Sequence, residues 1–494
     1  MTEATLPPHR LDEAERYRRF AAMGLMLVTL LRLFWLAGNP IDLYPDEAQY
    51  WMWSRSLALG YFSKPPLIGW IIRATTELGG DDEFGARLAA PLLHFGTALI
   101  VFAAARRLYD ARIACWSAIV YATLPAVSVS AAIISTDVPL MFFWALALYA
   151  FIRAREETGW RWWLLVGVAA GLGLLAKYAM VYWLLSALIF VVAFKEERRH
   201  LPKLLCAGAV ALLLYSPNFL WNLTHGFVSY RHTGENAAFG GSLFHPKAFL
   251  EFFSSQFAVF GPVLFGTLLA LVTLFWREFA DKRMRLLAAF TLPSLAMMLV
   301  VSFLSRAHPN WAAPAYVSAS ILVTAFLIER GRIFLVGASV ALHLAAAVLL
   351  VEGRQIAEAS GFRLPAKYDL LHRVRGWHTL GNRVGEMLAE RPNAILLGDS
   401  REDLAALVYY VKPHPFDAAI WNPSGGTRNQ FEMSSDLTKL TGRDFLYVTQ
   451  NPIYDGIASR FESVSAPVHI VIPLGPDLAR RYFIYDLKSF KGYR

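Results

Sequence analysis

The chain has 494 residues, of which 56% are apolar and 17% charged, with 34 Phe, 20 Tyr and 15 Trp and a formal net charge of +9. A soluble domain carries about 25% charged residues, and burying this much apolar surface in a soluble fold would leave large exposed patches. Soluble, disordered and disulfide-scaffold proteins are excluded, and an α-helical polytopic membrane protein is predicted.

Apolar runs occur near 20–38, 86–106, 113–130, 138–154, 161–176, 178–194, 202–219, 257–276, 284–304, 312–329 and 332–351. Their length approaches the roughly 20 residues needed to cross a bilayer core, so about eleven transmembrane helices are expected. The first run is long and ends at Gly38-Asn39-Pro40 without a small-x-small cleavage site, which favours a retained anchor over a signal peptide. The net positive charge does not point to nucleic acid, because Lys and Arg sit mostly in short loops of one alternate set. That set includes Arg106, Arg107, Arg153, Arg155, Arg198, Arg199, Arg283, Arg285 and Arg330. The positive-inside rule then places the N-terminus in the cytoplasm, and an odd span count places the C-terminus outside. Cys115 and Cys206 lie in apolar runs and suit neither a disulfide nor a zinc site.

After Val351 the composition changes. Runs at Ala394–Leu397, Phe445–Val448 and His469–Ile472 read as strands, and Arg401–Tyr410 reads as a helix capped from Gly398-Asp399-Ser400. The expected organisation is a transmembrane domain over 1–351 and a periplasmic α/β domain over 352–494.

The external loops carry the candidate chemistry. The first holds Tyr44-Pro45-Asp46-Glu47 and, further on, Tyr61-Phe62-Ser63-Lys64-Pro65-Pro66. The segments 47–58 and from Pro66 to about Leu78 mix aromatic and polar residues, which predicts two helices at the membrane interface. The second loop is short, Ser135-Thr136-Asp137. An acidic residue between apolar spans is costly without a partner or a task. Asp46 and Asp137, with Glu47 beside the first, suit a general base and an orienting group. Helix capping remains open for Asp137 and for the Asp46-Glu47 pair. Lys64, Lys177, Arg306 and His308 form a candidate anion-binding set, although Arg306 at a span end can simply snorkel. Tyr44, Tyr61, Arg231 and His232 are further candidate substrate contacts. The loop from Trp221 to Pro246, with Gly240-Gly241, reads as a gate. The three carboxylates also have the chemistry to hold a divalent metal ion, without a recognisable ligand spacing.

The Asp46-Glu47 pair, Phe62-Ser63-Lys64-Pro65-Pro66-Leu67, Ser135-Thr136-Asp137 and the Ser305–Pro314 segment resemble glycosyltransferase family 39. This family has the membrane GT-C fold and includes protein O-mannosyltransferases and aminoarabinose lipid A transferases. The resemblance implies that Asp46 is catalytic, that Lys64 and Arg306 contact the donor phosphate, and that Asp137 is the acidic residue of the second loop. Aminoarabinose transferases usually carry Glu before Lys-Pro-Pro, whereas Ser63 stands here. The motif versions are similar to an alphaproteobacterial branch that includes galacturonic acid transferases of lipid A and core. The implied activity is inverting sugar transfer from a polyprenyl-phosphate donor to lipid A, lipopolysaccharide or another envelope lipid, by a monomer at the periplasmic face of the bacterial inner membrane. A protein O-mannosyltransferase-like enzyme is the alternative within the family, and a lipid or sugar transporter the alternative outside it.

Overall fold

The computed structural model describes residues 8–38, 41–237, 244–362, 364–369 and 371–493. Asn39, Pro40 and the Gly240-Gly241 pair of the expected gate lie outside them. The chain forms two compact units, and the division is not a single cut. Unit 1 comprises Met1–Gly38, Lys64–Ile68 and Arg87–Val348, and unit 2 comprises Asn39–Ser63, Gly69–Ala86 and Leu349–Arg494.

Unit 1 is helical. Among the described residues six helices are long and apolar enough to cross a membrane: Asp12–Gly38, Glu83–Leu108, Asp137–Glu156, Lys195–Thr224, Lys282–Leu304 and Ile333–Ala359. A bent pair, Pro246–Val259 and Pro262–Thr273, makes a seventh if it counts as one span. The eleven apolar runs all fall in helical segments, but several are cut short by breakers. Leu124-Pro125 divides one run, and Lys177, in extended backbone, keeps the two neighbouring runs as the short helical segments Arg161–Ala176 and Tyr178–Ala193. A helix of 16 residues is about 24 Å long, short of a ~30 Å hydrocarbon core.

The helix Asp137–Glu156 is central, with 72% of its most apolar stretch buried. Phe151 on it packs edge-on against Trp163 at 5.8 Å and Trp183 at 6.0 Å, and lies 5.5 Å from Phe290. Beside it, Gly167 and Gly171 let Arg161–Ala176 approach the helix Leu201–Thr224 closely. A Cβ at Gly167 would meet the Ala207 carbonyl at 2.6 Å, and one at Gly171 would meet Leu214 Cβ at 2.8 Å. This is the small-xxx-small device of membrane helices.

The basic loops gather at one end of this unit. Arg107 pairs with Glu156, Arg155 with Glu197, Arg285 with Glu196 at 2.6 Å, and Arg283 with Glu329 at 3.4 Å. Asp137 marks the other end of the same central helix.

Unit 2 is built on a six-stranded mixed sheet: β1 (Ala394–Gly398), β2 (Ala419–Ile420), β3 (Asp444–Thr449), β4 (Phe461–Val464), β5 (Val468–Pro473) and β6 (Ala479–Phe490). The order is β2-β1-β3-β6-β4, with β5 also pairing with β6. β1 runs parallel to β2 and β3, and β6 is antiparallel to β3, β4 and β5. The three expected strands correspond to β1, β3 and β5. Ile395, Leu397, Phe445, Tyr447, Phe461, Leu487 and Phe490 belong to one buried core cluster with Trp421. The expected helix Arg401–Tyr410 forms, with Ser400 Oγ accepting the Asp403 N–H.

Both segments of the first external loop are helical, at Pro45–Arg55 and Leu67–Gly79. Most of Pro45–Arg55 is buried. Its Trp51 packs against Tyr409, His414 and Phe416 at 4.8, 4.6 and 6.0 Å. Just before it, the Leu43 N–H donates to the Tyr410 hydroxyl at 2.6 Å.

Candidate active site

In unit 1, Asp137 is the first residue of the central helix and is buried. Its Oδ1 accepts from Lys177 Nζ at 2.7 Å and its Oδ2 from Asn310 Nδ2 at 2.9 Å. The carboxylate is thus a bridge between two other segments. Lys177 reaches it from the break after Ala176, and Asn310 from the loop before Ala315–Glu329. Arg306 and His308 are exposed in that same loop. His308 lies 5.3 Å from the Trp311 ring. Partial desolvation of the His308 ring, and then the charges of Arg306, Lys177 and Lys64, hold its pKa below the ordinary histidine value. All three candidate cations therefore act on one imidazole, which is neutral at pH 7. Lys177 is paired with Asp137, whereas Arg306 makes no ion pair among the described residues. The positive field that Arg306, Lys177 and Lys64 set up at His308 suits an incoming phosphate.

Unit 2 holds Asp46, in the first turn of Pro45–Arg55. Its Oδ1 accepts from Arg401 Nη1 at 2.9 Å, and the same nitrogen donates to Gln49 Oε1. Gln49 is buried, and its Nε2 has no partner among the described residues, a donor left for a ligand to satisfy. Gln49 carries no signal in the sequence, and Arg401 a faint one: it opens a helix, the end where the dipole disfavours positive charge. Glu47 is buried and accepts the Tyr44 N–H through Oε2 at 2.8 Å, which caps the helix. Arg373 lies over the Tyr44 ring at 4.6 Å. Burial pushes the Tyr44 hydroxyl above its ordinary pKa.

Tyr61 is buried and stacks on Trp53 at 4.4 Å, with its hydroxyl donating to the Trp53 carbonyl at 3.0 Å. Burial raises its pKa to about 12. Arg231 is exposed and His232 half-buried on the helix Val228–Ala237, and neither is among the charges that act on His308. Among the described residues, no group of three or more His, Cys, Asp or Glu side chains is placed to hold a metal ion.

A family model described as dolichyl-phosphate-mannose-protein mannosyltransferase matches residues 63–221, which include Lys64, Asp137 and Lys177. The lipid A galacturonosyltransferase RgtD of Rhizobium johnstonii is 31% identical over 441 residues, covering 87% of this chain and 93% of that protein. An undecaprenyl phosphate-alpha-4-amino-4-deoxy-L-arabinose arabinosyl transferase of Pseudomonas aeruginosa is 30% identical over 186 residues, 34% of each chain. The crystal structure of ArnT from Cupriavidus metallidurans bound to undecaprenyl phosphate has a TM-score of 0.62 at 18% identity, covering 94% of this chain and 97% of that one. At that identity the likeness is one of fold.

Proposed function

The chain belongs to the membrane glycosyltransferases of family 39, and from that premise we propose that it moves a uronic acid from a polyprenyl phosphate to lipid A or a related envelope lipid at the periplasmic face. The protein is a multi-pass membrane glycosyltransferase that uses a polyprenyl-phosphate sugar. The choice of sugar and acceptor follows the R. johnstonii relative.

One observation carries the chemistry: Lys64, Lys177 and Arg306 all act on His308, and Lys177 is itself tied to the buried Asp137. That arrangement stabilises charge that grows on a departing phosphate. In our reading Asp46 accepts the proton of the acceptor hydroxyl as its oxygen attacks the anomeric carbon. The bond from that carbon to the phosphate oxygen breaks, and its electron pair leaves with the lipid phosphate. Direct displacement inverts the anomeric centre. Arg401 holds one oxygen of Asp46, and Oδ2 is the oxygen for the proton. Asp137 positions Lys177 and takes no proton. The loop charge bias supports a cytoplasmic N-terminus, with the cation cluster at the opposite, outer end. One copy of the chain supplies every group named.

The test is transfer by purified protein in nanodiscs, given polyprenyl-phosphate galacturonic acid and lipid A, with product read by mass spectrometry. A new glycolipid of inverted anomeric configuration is expected. Movement of the lipid-linked sugar across a vesicle without product would mark a transporter instead.

A further inference from the structure

Unit 2 contains a cavity of about 380 Å³ whose lining includes Pro45, His372, Arg373, Glu402, Arg480 and Arg481. Ligand pockets span about 300–1,000 Å³, so the volume suits a sugar headgroup with its substituents. The lining thus carries three arginines and one glutamate. Arg480 is held in place: it lies 3.7 Å over the Trp377 ring and donates to the carbonyls of Arg375 and Arg373 at 3.0 and 3.1 Å. Arg373 approaches Glu402 only loosely, at 3.7 Å, and about half of each side chain is exposed. Arg481 is exposed on β6 and makes no ion pair among the described residues. His372 donates from Nδ1 to the Asp369 carbonyl at 2.7 Å, which leaves Nε2 as its second position for a partner.

The cavity adjoins Asp46 in the chain on two sides. Pro45 precedes Asp46, and Glu402 follows Arg401, the residue that holds the Asp46 carboxylate. In an inverting displacement the base belongs to the acceptor's side of the anomeric carbon, opposite the leaving phosphate. A pocket lined by the chain neighbours of the base and of its arginine partner is therefore assigned to the acceptor. Its excess positive charge selects an acceptor that carries an anion.

We propose that this cavity is an acceptor subsite that binds an anionic substituent, a phosphate monoester or a carboxylate, on a membrane glycolipid. The inference rests on the assignment of Asp46 as the base. Arg481 and Arg373 supply the charge-assisted hydrogen bonds, and Arg480 is the fixed wall.

Binding and transfer together test it. In nanodiscs, Arg481→Gln and Arg373→Gln should each raise the KM for phosphate-bearing lipid A about tenfold, the scale of one charge-assisted hydrogen bond. The donor KM should stay in place. With lipid A stripped of phosphate and other anions, wild type and variants should coincide. Equal losses on both acceptors, or a loss that follows the carboxylate of the donor sugar, would overturn the subsite. Retention of lipid A on Asp46→Asn protein separates the two readings. D46N should retain it and D46N/R481Q should release it, whereas Lys439→Gln, outside the cavity, should behave as its parent. Equal retention by D46N and D46N/R481Q refutes the subsite, whereas absent transfer by wild type refutes the enzymatic reading.

Discussion

The two ends of the transmembrane unit handle positive charge in opposite ways. At the end that carries Glu156, arginines from several loops meet carboxylates, as in Arg107 with Glu156 and Arg155 with Glu197. At the end that carries Asp137, Lys64, Lys177 and Arg306 bear together on His308, and the buried Asp137 is tied to Lys177 and Asn310. Pairing neutralises a surface and fixes loops, while concentration leaves a field for an anion to neutralise. The same residue types thus serve topology at one end and substrate at the other. The contrast lies in where the charges converge, not in composition.

Substitutions at the two ends sharpen that contrast, together with one at the base itself. The largest loss is expected for Asp46→Asn: transfer falls ~100-fold or more, the scale of a removed general base, while circular dichroism and thermal unfolding stay close to wild type. Normal transfer by D46N would remove the base assignment. Next, Arg306→Gln and Lys64→Gln should each lower kcat by roughly 100-fold, as for loss of one group that stabilises developing charge. Both should also weaken binding of polyprenyl phosphate, read by displacement of a labelled analogue.

Asp137→Asn acts through its partner. Lys177 then keeps a partly buried charge without its carboxylate, which costs up to ~3–5 kcal/mol for a fully buried pair and less at this exposure. A clear drop in Tm should accompany a loss of transfer. His308 gives a smaller, pH-dependent effect. Its folded pKa is depressed, so below about pH 6.5 the unfolded chain binds a proton that the folded site resists. Stability is complete above that pH and declines as pH falls. A bound phosphate offsets the surrounding cations, so donor binding should take up a proton and tighten several-fold between pH 7.5 and 6. His308→Gln should flatten both trends, measured by unfolding and by donor titration. The least effect belongs to the other end. Arg107→Gln breaks an exposed pair worth about 0–1 kcal/mol, so Tm and transfer should hardly move.

Much of this was legible along the chain, and the rest was hidden for definite reasons. Asp137 stood out because an acidic residue between two apolar runs needs an explanation, and its partner Lys177 stood out at a short break. Arg401 did not, because 355 positions separate it from Asp46 and no periodicity links a loop carboxylate to a distant helix start. β6 escaped because Arg480, Arg481, Asp486 and Lys488 interrupt its apolar residues, so no continuous hydrophobic run announces the longest strand. The eleven runs exceed the six or seven helices long enough to span because Pro125 and Gly261-Pro262 interrupt two of them and the runs on either side of Lys177 form only short helices. Glu47 and Tyr61 show the converse, residue types with catalytic potential that fill a cap and a stacked core.

The membership of unit 2 has a practical consequence. Because Trp51 from the first external loop covers Tyr409, His414 and Phe416, the C-terminal segment is not a portable module. Expressed from residue 352 onward, it would lack the Pro45–Arg55 helix and bare an aromatic surface to water, inviting aggregation. Chimaeras between relatives should therefore exchange the loop and the C-terminal segment as one cassette, and fragments for separate study need the loop helix grafted back.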